Sequence, residues 1–209
     1  MPVNQSRIYL ASRSSRRREL LRQIGVDHEV LILRVKAPRG RDVDEDPAVG
    51  ESPPDYVMRV CRDKAETGWR RLLERKLPQR AVLSADTTVC LGDEILGTPA
   101  DAAEAAAFLR RLSGREHAVL TAVALKFGER TETALSATAV RFRALEEAEI
   151  EHYVGSGEPM DKAGAYGIQG HAGAFITEIR GSYSGVMGLP LYETAQLLAR
   201  FGLGRKHSP

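Results

Sequence analysis

The chain has 209 residues, 43% of them hydrophobic, and its 30 basic residues almost balance 28 acidic ones for a formal charge of +2. This length is enough to bury a sizeable core, and the even charge argues against wholesale duplex binding and limits an anion site to a local cluster. Cys61 and Cys90 lack metal-ligand spacing and the five histidines form no ligand pair, so the sequence favours a reducing compartment over a disulfide framework or a structural zinc site. With no signal peptide and no apolar run of membrane-spanning length, we expect a cytoplasmic protein.

The first predicted elements are a strand at residues 8–11 and a helix at residues 14–24, which ends at Gly25. In the segment IYLASRSSRRRELL a turn of small residues joins them, and the helix opens with three consecutive arginines. A helix N-terminus offers unpaired backbone N–H groups and a partial positive charge, so hydroxyls and guanidiniums there build a polyphosphate site. Taken alone, the basic run is more typical of a solvated face on an amphipathic helix.

A strand near residues 29–33 precedes a charged loop at residues 34–51 that is rich in Pro and Gly. Ser52 then caps a helix whose first position is Pro53. The apolar spacing that follows carries this helix past Lys64. Lys64 is therefore expected on a helix.

Residues 81–91 form an extended apolar segment that Ser84 and Asp86 interrupt. A carboxylate at the end of a buried strand is costly to desolvate unless a metal, a cation or a proton manages its charge. On position alone, Asp86 is equally consistent with a capping or salt-bridged acid and with a catalytic one. The hydroxyls of Ser84, Thr87 and Thr88 predict the polar floor of a cleft, which favours the catalytic interpretation.

The rest of the chain continues to alternate strands and helices. Further strands are predicted at residues 94–96, 117–126, 131–142 and 174–179. Further helices are predicted at residues 101–114, 146–154 and 191–201. The Gly128-Glu129 turn joins the two long strands as an antiparallel hairpin, so the fold class is α/β with a mixed sheet, and a purely parallel Rossmann sheet is disfavoured.

Residues 158–170, EPMDKAGAYGIQG, are too apolar in their small residues to be a linker, and they predict a backbone that comes close to a ligand. The segment lacks the GK[ST] ending of a P-loop, and no GxGxxG follows a strand in the Rossmann manner. Close packing of a strand against a helix accounts for the glycines. It does not account for Lys162 and Gln169.

Four blocks of the sequence, LASRSSRRRELL, LSADTTV, SGEPMDKAGAYGIQG and GSYSGVMGLPLYET, resemble the Maf proteins, nucleoside-triphosphate pyrophosphatases also called septum-formation inhibitors. The resemblance covers residues 8–202. It implies a mixed α/β fold like that of the inosine-triphosphate pyrophosphatases, with two lobes around a central cleft and often a homodimer. We accordingly expect a single domain over residues 1–209 with a disordered tail at residues 203–209, no stable nucleic acid complex and no membrane association.

The resemblance also implies a reaction and a set of site residues. The reaction is hydrolysis between the α and β phosphates of a nucleotide, which releases a nucleoside monophosphate and pyrophosphate with a divalent metal. The residues that bind phosphate correspond to Ser12, Arg16, Arg17 and Lys64. The branch of the family that favours dTTP and UTP has Arg, Thr and Gln at its specificity positions, which align with Arg16, Thr87 and Gln169. All three agree with that pyrimidine branch.

The chemistry of these residues fits the implied reaction. Attack on an α-phosphorus needs a water oriented in line, neutralised charge on the equatorial oxygens and a stabilised leaving group. Arg16, Arg17 and Lys64 supply cations, and arginine grips phosphate bidentately. The family's proton acceptor is the aspartate of the SADT motif, here Asp86, and the sequence leaves open whether it holds the water, the metal or both. The expected metal is Mg²⁺ or Mn²⁺, since Mg²⁺ binds through few carboxylates plus substrate phosphates.

The chain departs from the family pattern at three places. Ser15 stands where relatives usually have Pro, which removes a preset first-turn geometry but leaves the arginines in place. Thr98 stands where relatives usually carry lysine, so one phosphate-facing charge is missing. The acidic pair that follows the second strand in the family has its best counterparts in Asp44 and Glu45, after an apparent insertion.

Two other classes of function stay open beside the enzyme. A regulator of cell division that acts through a protein partner is indicated only by the family's older name. Nucleic-acid binding would rest on the arginines of residues 13–18, yet no aromatic residues interleave with them as stacking platforms. We rank the enzyme first, with dTTP, UTP and modified pyrimidine nucleotides as expected substrates, the regulator second and the nucleic-acid binder third.

Overall fold

The structure of the protein, a computed structural model, describes residues 7–34 and 42–203. Its strands are β1 (Ile8–Leu10), β2 (His28–Val30), β3 (Val82–Leu91), β4 (Glu94–Leu96), β5 (Glu116–Phe127), β6 (Arg130–Phe142) and β7 (Ile176–Arg180). Its α-helices are α1 (Ser15–Gln23), α2 (Pro53–Glu74), α3 (Ala102–Leu112), α4 (Glu147–Gly155), α5 (Tyr183–Val186) and α6 (Leu191–Arg200). Within the described ranges, none of the helices is long and apolar enough to cross a membrane.

Each helix and strand expected from the sequence is present, with shifts of a few residues at the ends. N-terminal caps explain where the first three helices begin, because the side chains of Ser14, Ser52 and Asp101 accept backbone N–H groups at the N-termini of α1, α2 and α3. Of these caps, Ser52 was predicted from the sequence. The short helix α5 and the 3₁₀ turns of the glycine-rich segment were not expected. The tail predicted at residues 203–209 lies outside the described residues except for Leu203.

The described strands form one mixed sheet in the order β2-β1-β3-β5-β6-β7, with β4 paired to β3. Strand β1 is parallel to both β2 and β3. The other pairs are antiparallel, including the β5–β6 hairpin that the Gly128 turn predicted. The mixed α/β class is therefore confirmed, whereas the division into two lobes stays a prediction.

Strand β3 is paired along almost its whole length on one side only. On the β5 side, pairing runs from Val82 to Cys90. On the other side, β1 pairs with β3 at residues 82–83 and β4 pairs with it at residues 89–91, and no described strand pairs with the residues between. Asp86 lies in this gap, so the expectation that it ends the strand is wrong: it sits in the middle of β3. The gap exposes one edge of the strand to an open space, where side chains from both faces of the sheet meet.

Helix α2 covers one face of the sheet, and it determines which β3 side chains meet it. Alternate residues of a strand point to opposite faces. Val57 and Cys61 of α2 pack with Cys90 and Leu120 on one face, in a core that also contains Ala122. On the opposite face, β3 and β5 pack against α1 and α6 through a cluster that includes Leu20, Leu83, Val123 and Leu197. The even-numbered residues of β3 therefore face α2, and the odd-numbered residues face the opposite side, where Leu83 packs with α1 and α6 and Val89 packs with α3.

His117 of β5 is buried in an aromatic cluster. Its ring meets those of Phe142 and Tyr166 edge to face, at centroid distances of 5.0 and 5.4 Å. Its Nε2 lies 2.8 Å from the Tyr166 hydroxyl, whereas its Nδ1 has no hydrogen-bond partner among the described residues. Burial lowers the pKa of His117 from 6.5 to about 4. The folded protein therefore holds this ring neutral at pH values where the unfolded chain protonates it.

We expect His117→Leu to reduce the acid sensitivity of the fold. Between pH 6.5 and about 4 the unfolded state binds the proton that the folded state excludes, so the free energy of unfolding of the unmutated protein falls as the pH drops. The contribution of His117 between pH 7 and pH 4.5 is about 2 kcal/mol. Urea unfolding at both pH values measures it, with His152→Gln at an exposed position as the control. An unchanged pH dependence in His117→Leu would contradict the assignment.

Candidate active site

A cavity of about 850 Å³ opens along the unpaired edge of β3. The segments that line it are the β1–α1 loop with the start of α1, the middle of β3, the glycine-rich segment and the end of α5. The seven site residues named from the sequence all line this cavity: Ser12, Arg16, Arg17, Lys64, Asp86, Thr87 and Gln169. The fold therefore brings together residues that are more than 150 positions apart in the chain.

The cavity has an excess of positive charge. Among the described residues, seven basic and four acidic side chains line it. Arg13 lies in the loop before α1, Arg16 and Arg18 lie in the first turn of α1, and Arg34 and Lys162 approach from other segments. Such an excess inside a concave site attracts and holds anions, and it is far larger than the near-neutral balance of the whole chain predicts.

Lys64 joins two carboxylates at the floor of the cavity. Its ammonium donates to Asp86 Oδ1 at 2.7 Å and to Glu45 Oε2 at 2.8 Å. The side chains of Lys64 and Asp86 are only 14% and 10% exposed. Burial opposes the ammonium charge, but the two carboxylates outweigh that effect and raise the pKa of Lys64 above its ordinary value. The lysine is therefore charged at neutral pH, and Asp86 Oδ2 stays free of protein partners among the described residues.

The position of Lys64 follows from the helical repeat of α2. Cys61, one turn earlier on α2, lies against Ser84, whose hydroxyl donates to the Cys61 carbonyl at 2.7 Å. Residues three apart lie on the same helix face, and residues two apart in β3 share a strand face, so Lys64 meets Asp86 in the same way. Ser84 and Thr88 do not line the cavity. The expectation that their hydroxyls belong to the cleft floor is therefore wrong: both side chains are buried, and the Ser84 hydroxyl is bound to the backbone of α2.

Arg17 is held in the cavity by neutral acceptors. Its Nε donates to the Gly188 carbonyl at 2.7 Å, and its two terminal nitrogens donate to the hydroxyls of Ser12 and Thr87, each at 3.2 Å. Burial lowers the pKa of Arg17, an effect that Asp86 opposes most strongly, but an arginine stays charged at neutral pH. Since a guanidinium has five N–H groups, two remain for a bound anion. The fixed geometry and the uncompensated charge suit a phosphate oxygen.

The start of α1 adds further donors. Ser14 caps the helix by accepting the Arg17 N–H at 3.3 Å, which leaves the N–H groups of Ser15 and Arg16 without helical partners. Ser12 accepts from Ser14 and from Arg17, so its own hydroxyl proton is free for a ligand. The Arg16 side chain makes no hydrogen bond to any described residue. The first turn therefore has the composition expected of an anion site at a helix N-terminus.

The structure adds supporting residues that the sequence interpretation did not name. Buried Thr121, which pairs with Thr87 across β3 and β5, hydrogen-bonds to Thr87 Oγ1 at 3.1 Å and to the Gly185 carbonyl at 2.8 Å. The segment GSYSGVMGLP, part of the fourth block that resembles the Maf proteins, supplies the carbonyls of Gly185 and Gly188 that hold Thr121 and Arg17. The signal available in the sequence was the alternation of β5, which places Thr121 on the face of Thr87.

The structure also shows where Asp44, Glu45 and Thr98 lie, three residues at positions where the chain departs from the family pattern. Glu45 lines the cavity as a partner of Lys64, whereas the Asp44 carboxylate accepts the backbone N–H of Asp46 and does not line it. Thr98 lines the cavity as well, so a neutral hydroxyl faces the space where a lysine was expected. The basic part of the predicted insertion, residues 35–41, lies outside the described residues.

Comparison with known families gives a match along nearly the whole chain: the family model described as Maf-like protein covers residues 7–201. The chain belongs to the Maf-like family. The family resemblance drawn from the four sequence blocks is thereby confirmed, and each of those blocks contributes residues to the cavity walls.

Several Maf-like relatives are similar over almost their full length. A protein of Aromatoleum aromaticum named dTTP/UTP pyrophosphatase is 62% identical, over 95% of this chain and 97% of its own. Proteins of Nitrosomonas europaea and Dechloromonas aromatica with the same name are 57% and 56% identical, over 94% of this chain and 95% and 98% of theirs. A solved structure titled "The structure of the Staphylococcus aureus Ham1 protein" aligns over 65% of this chain and 71% of that chain, at 13% identity and a TM-score of 0.40, too low for a conclusion about fold.

We expect Lys64→Met to cost about 3 kcal/mol of unfolding free energy, because it leaves the buried Asp86 carboxylate without its cation. Adding Asp86→Asn in that background should restore part of the loss, since the uncompensated charge is removed. Urea unfolding of the two single variants and the double variant at pH 7 measures this coupling. Arg110→Met, in a pair with Glu147 whose side chains are 50% and 52% exposed, is the control and should cost far less than Lys64→Met. Additive effects of Lys64→Met and Asp86→Asn would contradict direct coupling.

Proposed function

We propose that this protein hydrolyses nucleoside triphosphates, with dTTP and UTP as preferred substrates, to the nucleoside monophosphate and pyrophosphate. The observation that carries the proposal is the Lys64-bridged pair Asp86 and Glu45, which lies in one cavity with Arg16 and Arg17. The names of the full-length relatives support the same activity.

Binding of the polyphosphate falls to the cations of the α1 side. Two N–H groups of Arg17 are free, and Arg17, Arg16 and the other residues of the first turn of α1 all line the cavity. Phosphoryl chemistry at phosphorus needs neutralised oxygens and a stabilised leaving group more than it needs a protein nucleophile. We therefore assign the pyrophosphate end of the substrate to this cationic wall.

Asp86 is the residue we assign to the attacking water. Lys64 fixes Oδ1 of this carboxylate, so Oδ2 is the acceptor that remains for a water proton. The neighbouring ammonium also keeps the carboxylate from rotating, which orients the water relative to the α-phosphorus. General-base assistance of this kind contributes about 10²- to 10⁴-fold.

The carboxylates of Asp86 and Glu45 fit the divalent metal that the family implies. They offer hard oxygen donors on one side of the cavity, and Mg²⁺ binds in proteins through one or two carboxylates together with substrate phosphates. Among the described residues no cluster of three acidic, His or Cys side chains could hold the ion alone. We propose that Asp86 and Glu45 hold Mg²⁺ or Mn²⁺ when the substrate's phosphates supply the other ligands. The ion would then supply positive charge to the phosphate oxygens.

Asp86→Asn should lower kcat at least a hundredfold while the fold is retained, because the amide keeps the shape of the side chain but accepts no proton. The measurement is pyrophosphate release from dTTP with Mg²⁺ or Mn²⁺, with circular dichroism as the check on folding. Asp93→Asn, in the exposed turn between β3 and β4, is the matched control and should keep the rate of the unmutated protein. A folded Asp86→Asn variant that retains that rate would remove Asp86 from the mechanism.

The choice of base is assigned to Gln169, together with Thr87 and Arg16, which line the same cavity. The Gln169 side chain makes no hydrogen bond to any described residue, and its amide both donates and accepts, which matches the imide N–H and carbonyls of uracil and thymine. A base with the wrong edge leaves a polar group unpaired, at about 1 to 3 kcal/mol for each buried group.

The purified protein should therefore cleave dTTP and UTP with a higher kcat/KM than dATP or GTP in a nucleotide panel assayed for pyrophosphate. Gln169→Glu should reduce this preference, because a carboxylate only accepts hydrogen bonds. A best substrate among the guanine nucleotides would contradict the specificity but not the hydrolysis. No pyrophosphate from any nucleotide with either metal would contradict the enzymatic proposal and favour a regulatory role through a protein partner.

A further inference from the structure

Gln169 is presented to the cavity by a tight turn. The turn runs from Gly167 to Gly170 and is closed by a hydrogen bond of 3.0 Å from the Gly170 N–H to the Gly167 carbonyl. Gln169 is exposed within it, next to Gly170. A turn with glycines at both ends has many accessible conformations, so its position needs support from elsewhere.

That support is the carboxylate of Glu158, which is 20% exposed and lies behind the turn. Its Oε1 accepts the Tyr153 hydroxyl at 3.0 Å. Its Oε2 accepts the backbone N–H of His171 at 3.2 Å and meets His171 Nδ1 at 3.0 Å. Burial alone would raise the pKa of Glu158, but these hydrogen bonds outweigh it and lower the pKa. The group is therefore a carboxylate at neutral pH, and both its oxygens are used.

The same carboxylate is packed directly against the turn. A Cβ added at Gly170 would lie 1.9 Å from Glu158 Oε1, although the backbone angles of Gly170, φ −101° and ψ −155°, suit any residue. Tyr153 completes the support at the other end, since its hydroxyl oxygen accepts the Gly167 N–H at 3.3 Å. Glu158 thus holds the turn at three points. It binds His171, the residue that follows the turn, and it contacts Gly170, the last residue of the turn. It also binds Tyr153, which in turn binds Gly167, the first residue of the turn.

From this arrangement we infer that Glu158 is a positioning residue for base selection, which acts by holding Gln169 in place and has no part in the chemistry at phosphorus. The inference rests on the proposed function, because it needs Gln169 to recognise the base. It accounts for a carboxylate that lines a polyphosphate cavity without facing any of the cations of α1. It also gives a reason for the glycine at position 170, where a side chain would displace the carboxylate.

Glu158→Gln tests the inference with the least change in shape. A carboxylate has two acceptor oxygens and an amide has only one. In Glu158→Gln the NH₂ group therefore replaces one acceptor, the hydrogen bond to that acceptor is lost, and the turn is held less firmly. UTP and CTP serve as the substrate pair because they differ only at the edge that Gln169 is assigned to recognise. We expect the ratio of kcat/KM for UTP to that for CTP to fall about tenfold, with a rise in KM for UTP larger than the fall in kcat.

The decisive comparison is made in a Gln169→Ala background. If Glu158 acts through Gln169, then Glu158→Gln lowers the ratio of kcat/KM for UTP to that for CTP in the otherwise unmutated protein. In the Gln169→Ala variant, the same substitution should leave this ratio unchanged. Gly170→Ala disturbs the same contact, because the added methyl group would displace the Glu158 carboxylate. This variant should lower the ratio of kcat/KM for UTP to that for CTP as Glu158→Gln does. Glu151→Gln, at an exposed position of α4, is the matched control and should leave both kinetic constants unchanged.

Three outcomes would overturn the inference. They are an unchanged ratio in Glu158→Gln, an equal fall in kcat/KM for UTP and CTP, and a further fall in the ratio when Glu158→Gln is added to Gln169→Ala. An unmutated protein without preference for UTP over CTP would instead contradict the proposed specificity, and the inference with it. The failure of the positioning role alone is therefore distinguishable from the failure of the proposed function.

Discussion

One ammonium, that of Lys64, holds two carboxylates together in a gap in the sheet. Asp86 is tolerated in the middle of a buried strand because this cation lies 2.7 Å away, and Glu45 is drawn to the same point from a loop. Removing two charges from water is costly unless they are paired, so the helix that carries Lys64 and the strand that carries Asp86 must pack in one register. The contact between Cys61, three residues before Lys64 on α2, and Ser84, two residues before Asp86 on β3, fixes that register.

The gap in β3 and the distribution of charge around it account for the division of the cavity. Where neither β1 nor β4 pairs with β3, side chains from both faces reach the same space: Asp86 from the α2 face and Thr87 from the α1 face. The α2 side therefore contributes two carboxylates that share the Lys64 ammonium. The α1 side contributes Arg17, whose protein partners are all neutral and whose charge is left for a ligand. Hydrolysis of a polyphosphate requires both kinds of group: cations for the phosphate oxygens and leaving group, and a carboxylate for the water that attacks the phosphorus from the opposite side.

Local rules were sufficient to predict most elements, whereas most of the proposed site residues were implied by the resemblance to the Maf proteins. Ser52 followed by Pro53 marks the start of α2, and the apolar repeat places Lys64 on it, as the structure confirms. Alternation along residues 81–91 predicts a strand, but it does not show where along that strand the neighbours stop pairing, so Asp86 was placed at its end instead of its middle.

Contacts between distant segments were beyond such rules. The carbonyl of Gly188 that holds Arg17 is 171 residues away in the chain, and Thr121 meets Gly185 across 64 residues. Their role depends on α5, a single helical turn with too few residues for a periodic pattern. Glu158 was visible only as one acid in a glycine-rich segment, since its function follows from the packing of its carboxylate against Gly170.

The site of bond cleavage tests the account most directly, because the assignment of the cations to the pyrophosphate end and of Asp86 to the water requires attack at the α-phosphorus. Hydrolysis of dTTP in water enriched in ¹⁸O, followed by mass spectrometry of both products, locates the attack. The account predicts one ¹⁸O atom in the thymidine monophosphate and none in the pyrophosphate. Label in the pyrophosphate, or release of orthophosphate and thymidine diphosphate, would contradict it.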